Sequence, residues 1–298
     1  MEVWQQMTRR RALKAAGAAG AAYLVLPEWL SGALRGQTAE AASVCTALTP
    51  ELTEGPYWVN TMLRRADVRA NSAAAKSSAG AVQPGVPLRL TINVLDAGER
   101  CRPLDGVAVD IWHANAYGLY SDESSQQSGG GSGQGDTAGE DFLRGYQITG
   151  EDVGVNAAPV AGQVSFKTIW PGWYTGRAIH IHVRVRRLSS SGATVAGYTT
   201  QIFFSDADNN RVLSGAAPYN TRTPEGDPTS DENDSVLQAS DDATNVVAVT
   251  GSLERGFAAT FTIALAASET TAEGSLARPS TGAGPGGPPP AAGGAPAG

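Results

Sequence analysis

Two of the chain's three histidines, His180 and His182, stand one residue apart in the run Ile179-His-Ile-His-Val-Arg-Val185. A β-branched run of this kind reads as a strand, and strand side chains at i and i+2 point to one face. The two imidazoles therefore converge, close enough to share a metal ion. A zinc hydrolase would need a third nitrogen or carboxylate ligand and a general base. A cupin-like site would need a glutamate shortly afterwards, where Val183-Arg-Val-Arg-Arg187 offers none. Tyrosine is the nearby abundance: Tyr174 lies six residues before His180, and Tyr120 sits in Gly118-Leu-Tyr-Ser121. A phenol, with a pKa of about 10, ligates only where a strongly Lewis-acidic cation holds it deprotonated. Hard phenolate oxygen with borderline imidazole suits ferric iron better than copper or zinc.

These donors need a rigid frame, and the middle of the chain is written in strands. Residues 88–94 alternate apolar and polar, as do Val107, Val109 and Ile111 after the Pro103-Leu-Asp-Gly106 turn. Further strand segments are 163–169, 179–187, 194–204, 245–250 and 257–265. No long amphipathic helix follows residue 42. The pattern predicts an all-β fold: a single-domain antiparallel β-sandwich with long loops over residues 43–267. The glycine- and serine-rich segment 121–141 directly follows Tyr120 and is expected to be a mobile loop. Asp206-Ala-Asp-Asn-Asn210 lacks the glycine and closing glutamate of a calcium loop and reads as an ordinary acidic turn. The acidic stretch 227–234 reads likewise as a solvated loop.

Both ends differ from this middle. Residues 7–14 are basic, an Ala/Gly/Leu-rich stretch runs to Leu34, and Ala39-Glu-Ala41 offers a small-x-small cleavage pattern. This is an export signal over residues 1–42. Thr8, the arginine pair, Leu13 and Lys14 resemble a twin-arginine signal, with Ala12 in place of a large apolar residue. The expectation is a secreted or wall-associated protein with no stable membrane span after processing. Residues 268–298 are rich in Gly, Pro and Ala and read as a flexible tail. A net charge of −7 argues against a nucleic-acid or anionic-membrane partner. Cys45 and Cys101, the only cysteines, are compatible with one disulfide in an exported protein.

Six ordered pieces of the chain resemble the intradiol ring-cleavage dioxygenases, non-haem iron(III) enzymes that open catechols between their two hydroxyls. They are Thr49-Pro-Glu-Leu-Thr-Glu-Gly-Pro-Tyr57, Asp105-Gly-Val-Ala-Val-Asp-Ile-Trp-His-Ala-Asn115, Gly118-Leu-Tyr-Ser121, Phe142-Leu-Arg-Gly-Tyr-Gln147, Pro171-Gly-Trp-Tyr174 and Arg177-Ala-Ile-His-Ile-His182. The resemblance implies that Tyr120, Tyr174, His180 and His182 bind Fe(III), with Tyr174 the ligand displaced by substrate. It implies that Arg177 and Gln201 line the pocket and stabilise charge on the bound catecholate. Substrate and O2 would give a cis,cis-muconate-type diacid. Only the signal and a few residues precede Thr49, where the catechol and hydroxyquinol enzymes carry a helical dimerisation region. The chain is therefore expected in the exported, single-chain branch. Tyr117 is the rival to Tyr120, disfavoured by the family spacing. His113 reads as a structural histidine. Tyr57, Trp58 and Trp173 are either substrate-mouth or core residues, and Arg144 or Arg64 could meet a substrate carboxylate. The alternative from another class is a non-catalytic β-sandwich binding module with a vestigial metal site.

Overall fold

A computed structural model describes residues 48–73, 75, 80–123, 137–151, 158–221, 228–240, 243–266 and 274–275. The expected signal, most of the expected tail and residues 124–136 of the glycine-rich loop lie outside the described residues. In chain order the strands are β1 (Pro87–Asp96), β2 (Arg102–Pro103), β3 (Ala108–Trp112), β4 (Arg144–Ile148), β5 (Gln163–Ile169), β6 (His180–Leu188), β7 (Thr194–Phe204), β8 (Val246–Val247), β9 (Val249–Ser252), β10 (Gly256–Leu265) and β11 (Gly274–Ser275).

The strands form two sheets. In the first, β1 is flanked by β10 and then β9 on one side, with β5 and β2 on the other. In the second the order is β11-β7-β6-β3-β4, and β8 also pairs with β7. The sandwich expected from the sequence is present, but its pairing is mixed rather than purely antiparallel. β1 and β10 run parallel, in register from Leu88↔Phe257 to Asp96↔Leu265. Two parallel neighbours cannot be joined by a hairpin, and here the intervening chain builds β3, β4, β6, β7 and β8 of the second sheet, as well as β2, β5 and β9 of the first, before returning.

Alternation decides which side chains enter the core. Leu88, Leu90, Ile92 and Val94 of β1 face inward and are buried, and they meet Val109, Ile111, Ile181, Val183 and Val185 of the second sheet. Such burial stabilises by roughly 1.5–3 kcal/mol per large aliphatic side chain. The opposite face of the second sheet is not apolar. His180, His182, Arg184 and Arg186 follow one another along it on β6. The ladder sets Trp112 of β3 and Gln201 of β7 on either side of His182, and Arg144 of β4 beyond Trp112.

The chain segment near residues 52–58 covers this polar face. The Leu52 N–H donates to Thr199 O, and Gln201 Nε2 donates to Thr53 O at 2.7 Å. Trp58 lies edge-on to Trp112 and beneath the Arg184 guanidinium, 4.9 Å away. Arg184 also pairs with Glu54, and the buried Arg186 grips Asp110 through two hydrogen bonds of 2.6 and 2.9 Å.

Two α-helices among the described residues were not expected. The acidic 206–210 segment opens α1 (Asp206–Gly215). Ser205 caps it by accepting from Asp208 N, and Asp206 and Asp208 sit in the first turn, where the helix dipole favours negative charge. Only Asn209 and Val212 of this helix are buried, so it carries too little apolar periodicity to be seen in sequence. A single-turn helix, α2 (Ser235–Gln238), begins at Asp234. Cys101 is disulfide-bonded; Cys45, the only other cysteine, lies outside the described residues.

Candidate metal centre

β6 presents His180 and His182 on the polar face of its sheet, both buried. His180 Nδ1 lies 2.6 Å from Ala178 O. A carbonyl only accepts, so Nδ1 carries the proton and the Nε2 lone pair points into the site. His182 is oriented differently. Its ring stacks on Trp112 with centroids 4.7 Å apart and planes 8° from parallel, and its buried Nδ1 has no hydrogen-bond partner among the described residues.

Two loops bring tyrosines to the histidines. After β3, Asn115 Oδ1 accepts from the N–H groups of Tyr117 and Leu119, closing a turn that delivers Tyr120 inward. Tyr120 is 1% exposed and Tyr117 42%, which separates the two tyrosines that the sequence offered. Arg144 holds the far side of this turn. It donates to Ser121 Oγ at 2.7 Å, to Ser121 O at 2.6 Å and to Tyr57 O, while the Tyr57 ring stacks on Tyr120 with centroids 4.3 Å apart. Tyr174 comes from the Pro171-Gly172 segment, which docks directly on the first turn: Gly172 N–H donates to Asn115 O at 3.0 Å. A Cβ on Gly172 would lie 2.5 Å from that same oxygen, so only glycine permits the approach.

The result is four donor atoms in one knot. Tyr120 Oη and Tyr174 Oη are 3.3 and 3.2 Å from His180 Nε2 and 3.5 Å from each other. His182 Nε2 is 3.1 Å from His180 Nε2, and Arg177 Nη1 approaches the same atom at 3.5 Å. His180 Nε2 thus has one lone pair and four polar neighbours, more than it can accept from. A cation removes the conflict by drawing a lone pair from each donor. Metal–nitrogen and metal–oxygen bonds of about 2.0–2.2 Å require ligand atoms roughly 3 Å apart, which is the spacing found.

Burial sets the protonation states. It lowers His180 to about 3, helped by the Arg177 charge, and depresses His182 well below the usual imidazole range, helped by His180. Both rings are neutral near pH 7, as ligands must be. Burial raises both phenols, Tyr120 strongly, and the nearby Arg177 opposes the rise. Without a metal ion they stay protonated, so a metal that binds here must be acidic enough to displace two phenolic protons. The donor set fits Fe(III).

Arg177 and Gln201 lie against this knot. Arg177 Nη2 donates to Gln201 Oε1, and Arg177 Nε donates to Asp234 Oδ2 at 2.9 Å. Asp234 is a correction to the sequence reading: within the stretch taken as a solvated loop it is fully buried. Its proximity to Arg177, 57 positions away, had no local signal. Trp173 belongs to the hydrophobic core rather than the site, whereas Tyr57, Trp58 and Tyr174 pack around Trp112 and Tyr120. His113 is buried away from the donors, with Nδ1 2.8 Å from Ala114 O and Nε2 2.6 Å from Thr168 Oγ1. Of the two arginines considered for a substrate carboxylate, Arg144 donates to Ser121 and Tyr57, and Arg64 forms an exposed pair with Glu151.

The Dioxygenase family model matches residues 53–213, more than half of the chain. Among solved structures, the chain is similar to an intradiol ring-cleavage dioxygenase from Tetranychus urticae, with 25% identity, 73% of this chain and 94% of that one covered, and a TM-score of 0.56. It is also similar to the dioxygenase domain of a dioxygenase–carbohydrate-binding protein fusion from Streptomyces sp. SirexAA-E (27% identity, 74% and 98% covered, TM-score 0.42). A third similar structure is catechol 1,2-dioxygenase from Pseudomonas arvilla C-1 (21% identity, 80% and 67% covered, TM-score 0.40). No curated protein sequence matches. A family match across most of the sandwich, and a shared fold along nearly the full length of the Tetranychus enzyme, lead to one conclusion: the chain belongs to the intradiol ring-cleavage dioxygenases.

Proposed function

We propose that this enzyme binds Fe(III) through Tyr120, Tyr174, His180 and His182 and cleaves a catecholic aromatic between its hydroxyls, with O2, to a cis,cis-muconate-type diacid. The observation that carries the reading is the unresolved knot at His180 Nε2, where one lone pair faces two phenols, an imidazole and a guanidinium. When bound, Fe(III) supplies Lewis acidity and a template for the substrate.

The side chains do the rest. The Ala178 carbonyl keeps the proton of His180 on Nδ1 and leaves Nε2 free to ligate. Tyr120 is sealed under Tyr57, whereas Tyr174 retains some exposure, which suits it to be the phenol that leaves. Deprotonated while it holds the metal, Tyr174 Oη would take one catechol proton on leaving, and the second proton would pass to solvent hydroxide. Arg177, with its Nη1 edge toward the donors, stabilises negative charge that builds on the ring, and Gln201 steadies it. The Trp112, Tyr57 and Trp58 rings keep water from this side of the site.

Oxygen uptake by the iron-loaded protein across a catechol panel, with products identified by mass spectrometry, tests the assignment. The expected result is an intradiol diacid and a broad phenolate-to-iron absorption band, both lost in Tyr174→Phe or His180→Ala. Extradiol products, or a colourless protein holding zinc, would overturn it.

We further propose export by the twin-arginine route. The Thr8-Arg-Arg-Arg-Ala-Leu-Lys14 segment supports this, as does the disulfide-bonded state of Cys101, which belongs to oxidising compartments. Replacing Arg9 and Arg10 by lysine should retain the protein inside the cell on fractionation; unchanged export would exclude this route.

A further inference from the structure

The geometry points to Asp234 as a positioning residue for Arg177, and we infer that its second carboxylate oxygen fixes the direction in which the guanidinium faces the metal donors. This rests on the function proposed above. Asp234 has two separate jobs, divided between its oxygens. Oδ1 accepts from Val236 N and Leu237 N, both at 2.9 Å, and so caps α2. Oδ2 accepts from Arg177 Nε at 2.9 Å and from Ala178 N at 2.7 Å.

A helix cap needs only one oxygen, and serine, threonine or asparagine would serve. A fully buried carboxylate is costly unless it is paired and hydrogen-bonded. The need for a carboxylate at this position therefore comes from Oδ2, not from the cap.

The remaining edges of Arg177 show what that contact sets. With Nε on Asp234 and Nη2 on Gln201 Oε1, two of the three guanidinium nitrogens are fixed, and the plane can take only one orientation. Nη1 is the third, and it lies 3.5 Å from His180 Nε2, beside the donor atoms. Asp234 also accepts the N–H of Ala178, whose carbonyl holds His180 Nδ1. The same oxygen thus braces the segment that carries Arg177 into β6. Asp234 lies outside the segment matched by the family model, which ends at residue 213.

Asp234→Asn separates the two jobs. Asparagine keeps Oδ1 for the cap and replaces Oδ2 with a donor, which Arg177 Nε and Ala178 N cannot use. The expected loss in kcat/KM for catechol is about ten- to a hundredfold, the range for a buried charge-assisted hydrogen bond. Iron content and the phenolate-to-iron band should be retained. In an Arg177→Gln background the same substitution should cost less than about twofold, because a residue that acts through another is silent once its partner is gone. Asp234→Ser, a second variant with the cap kept and the charge removed, should behave alike.

A readout independent of turnover is proton exchange at Arg177 Nε–H, followed by NMR in protein loaded with diamagnetic Ga(III). It should be slow in the parent enzyme and fast in Asp234→Asn. Unchanged kcat/KM and exchange would overturn the inference, as would equal losses in both backgrounds. Failure of both variants to fold would assign Asp234 to stability alone and overturn it too. If the parent enzyme opens no catechol, the proposed function fails by itself, and Arg177 exchange still decides the role of Asp234.

Discussion

His113 shows how a histidine in the same domain as the candidate metal centre is kept out of it. Its Nδ1–H donates to Ala114 O and its Nε2 accepts from Thr168, so the neutral ring is fully satisfied. Burial lowers its pKa to about 4, against about 6.5 in the unfolded chain. Above pH 6.5 neither state binds the proton and the ring adds no pH dependence. As pH falls from 6.5 to 4 the unfolded chain takes up a proton that the folded one refuses, so stability is lost, by about 3 kcal/mol in all. His180 and His182 are depressed in the same direction, so in urea titrations of the metal-free protein His113→Asn should reduce the slope of this part of the profile without abolishing it; an unchanged slope would show that His113 carries none of it. His180 and His182 were legible in the sequence because strand parity is local. Asp234 was not, because a carboxylate in an acidic run reads as solvated until its distant cation is known.

At the scale of elements, the centre is assembled where loops touch, not where strands pair. The strand ladder fixes His182 beside Trp112 and Gln201, but both tyrosines arrive on turns. Those turns are locked together at Gly172, whose N–H bonds Asn115 O. A methyl group there would meet Asn115 O and the Ala116 backbone at 2.5–2.6 Å. Gly172→Ala should therefore push the Tyr120 and Tyr174 turns apart, costing about 1–3 kcal/mol. Thermal melting and iron retention against a chelator check this, and a variant that keeps its iron and its melting temperature would refute it. Gly55 makes a related approach on the other side, at φ +69°, with a Cβ position 3.3 Å from His182 Cε1. Strand positions were readable from alternation, whereas α1 was hidden because so little of it is buried.

At the scale of the whole molecule, the two-sheet plan followed from short alternating segments, but the neighbour relations did not. Alternation reports which face is buried and is silent about which strand lies alongside. The parallel pairing of β1 with β10 is the clearest instance, and it has a kinetic consequence. The first long strand of the sandwich cannot complete its sheet until the last one exists. During synthesis at about 5–20 residues per second, the chain from β1 to β10 takes roughly 10–35 s to emerge. Throughout that interval one flank of an apolar strand presents unpaired backbone groups, a template for unwanted association. Contacts so distant in sequence also slow folding after release. A nascent chain of this topology therefore depends on being shielded until its end appears, and a fragment that stops short of residue 256 would carry an open sheet edge for as long as it exists.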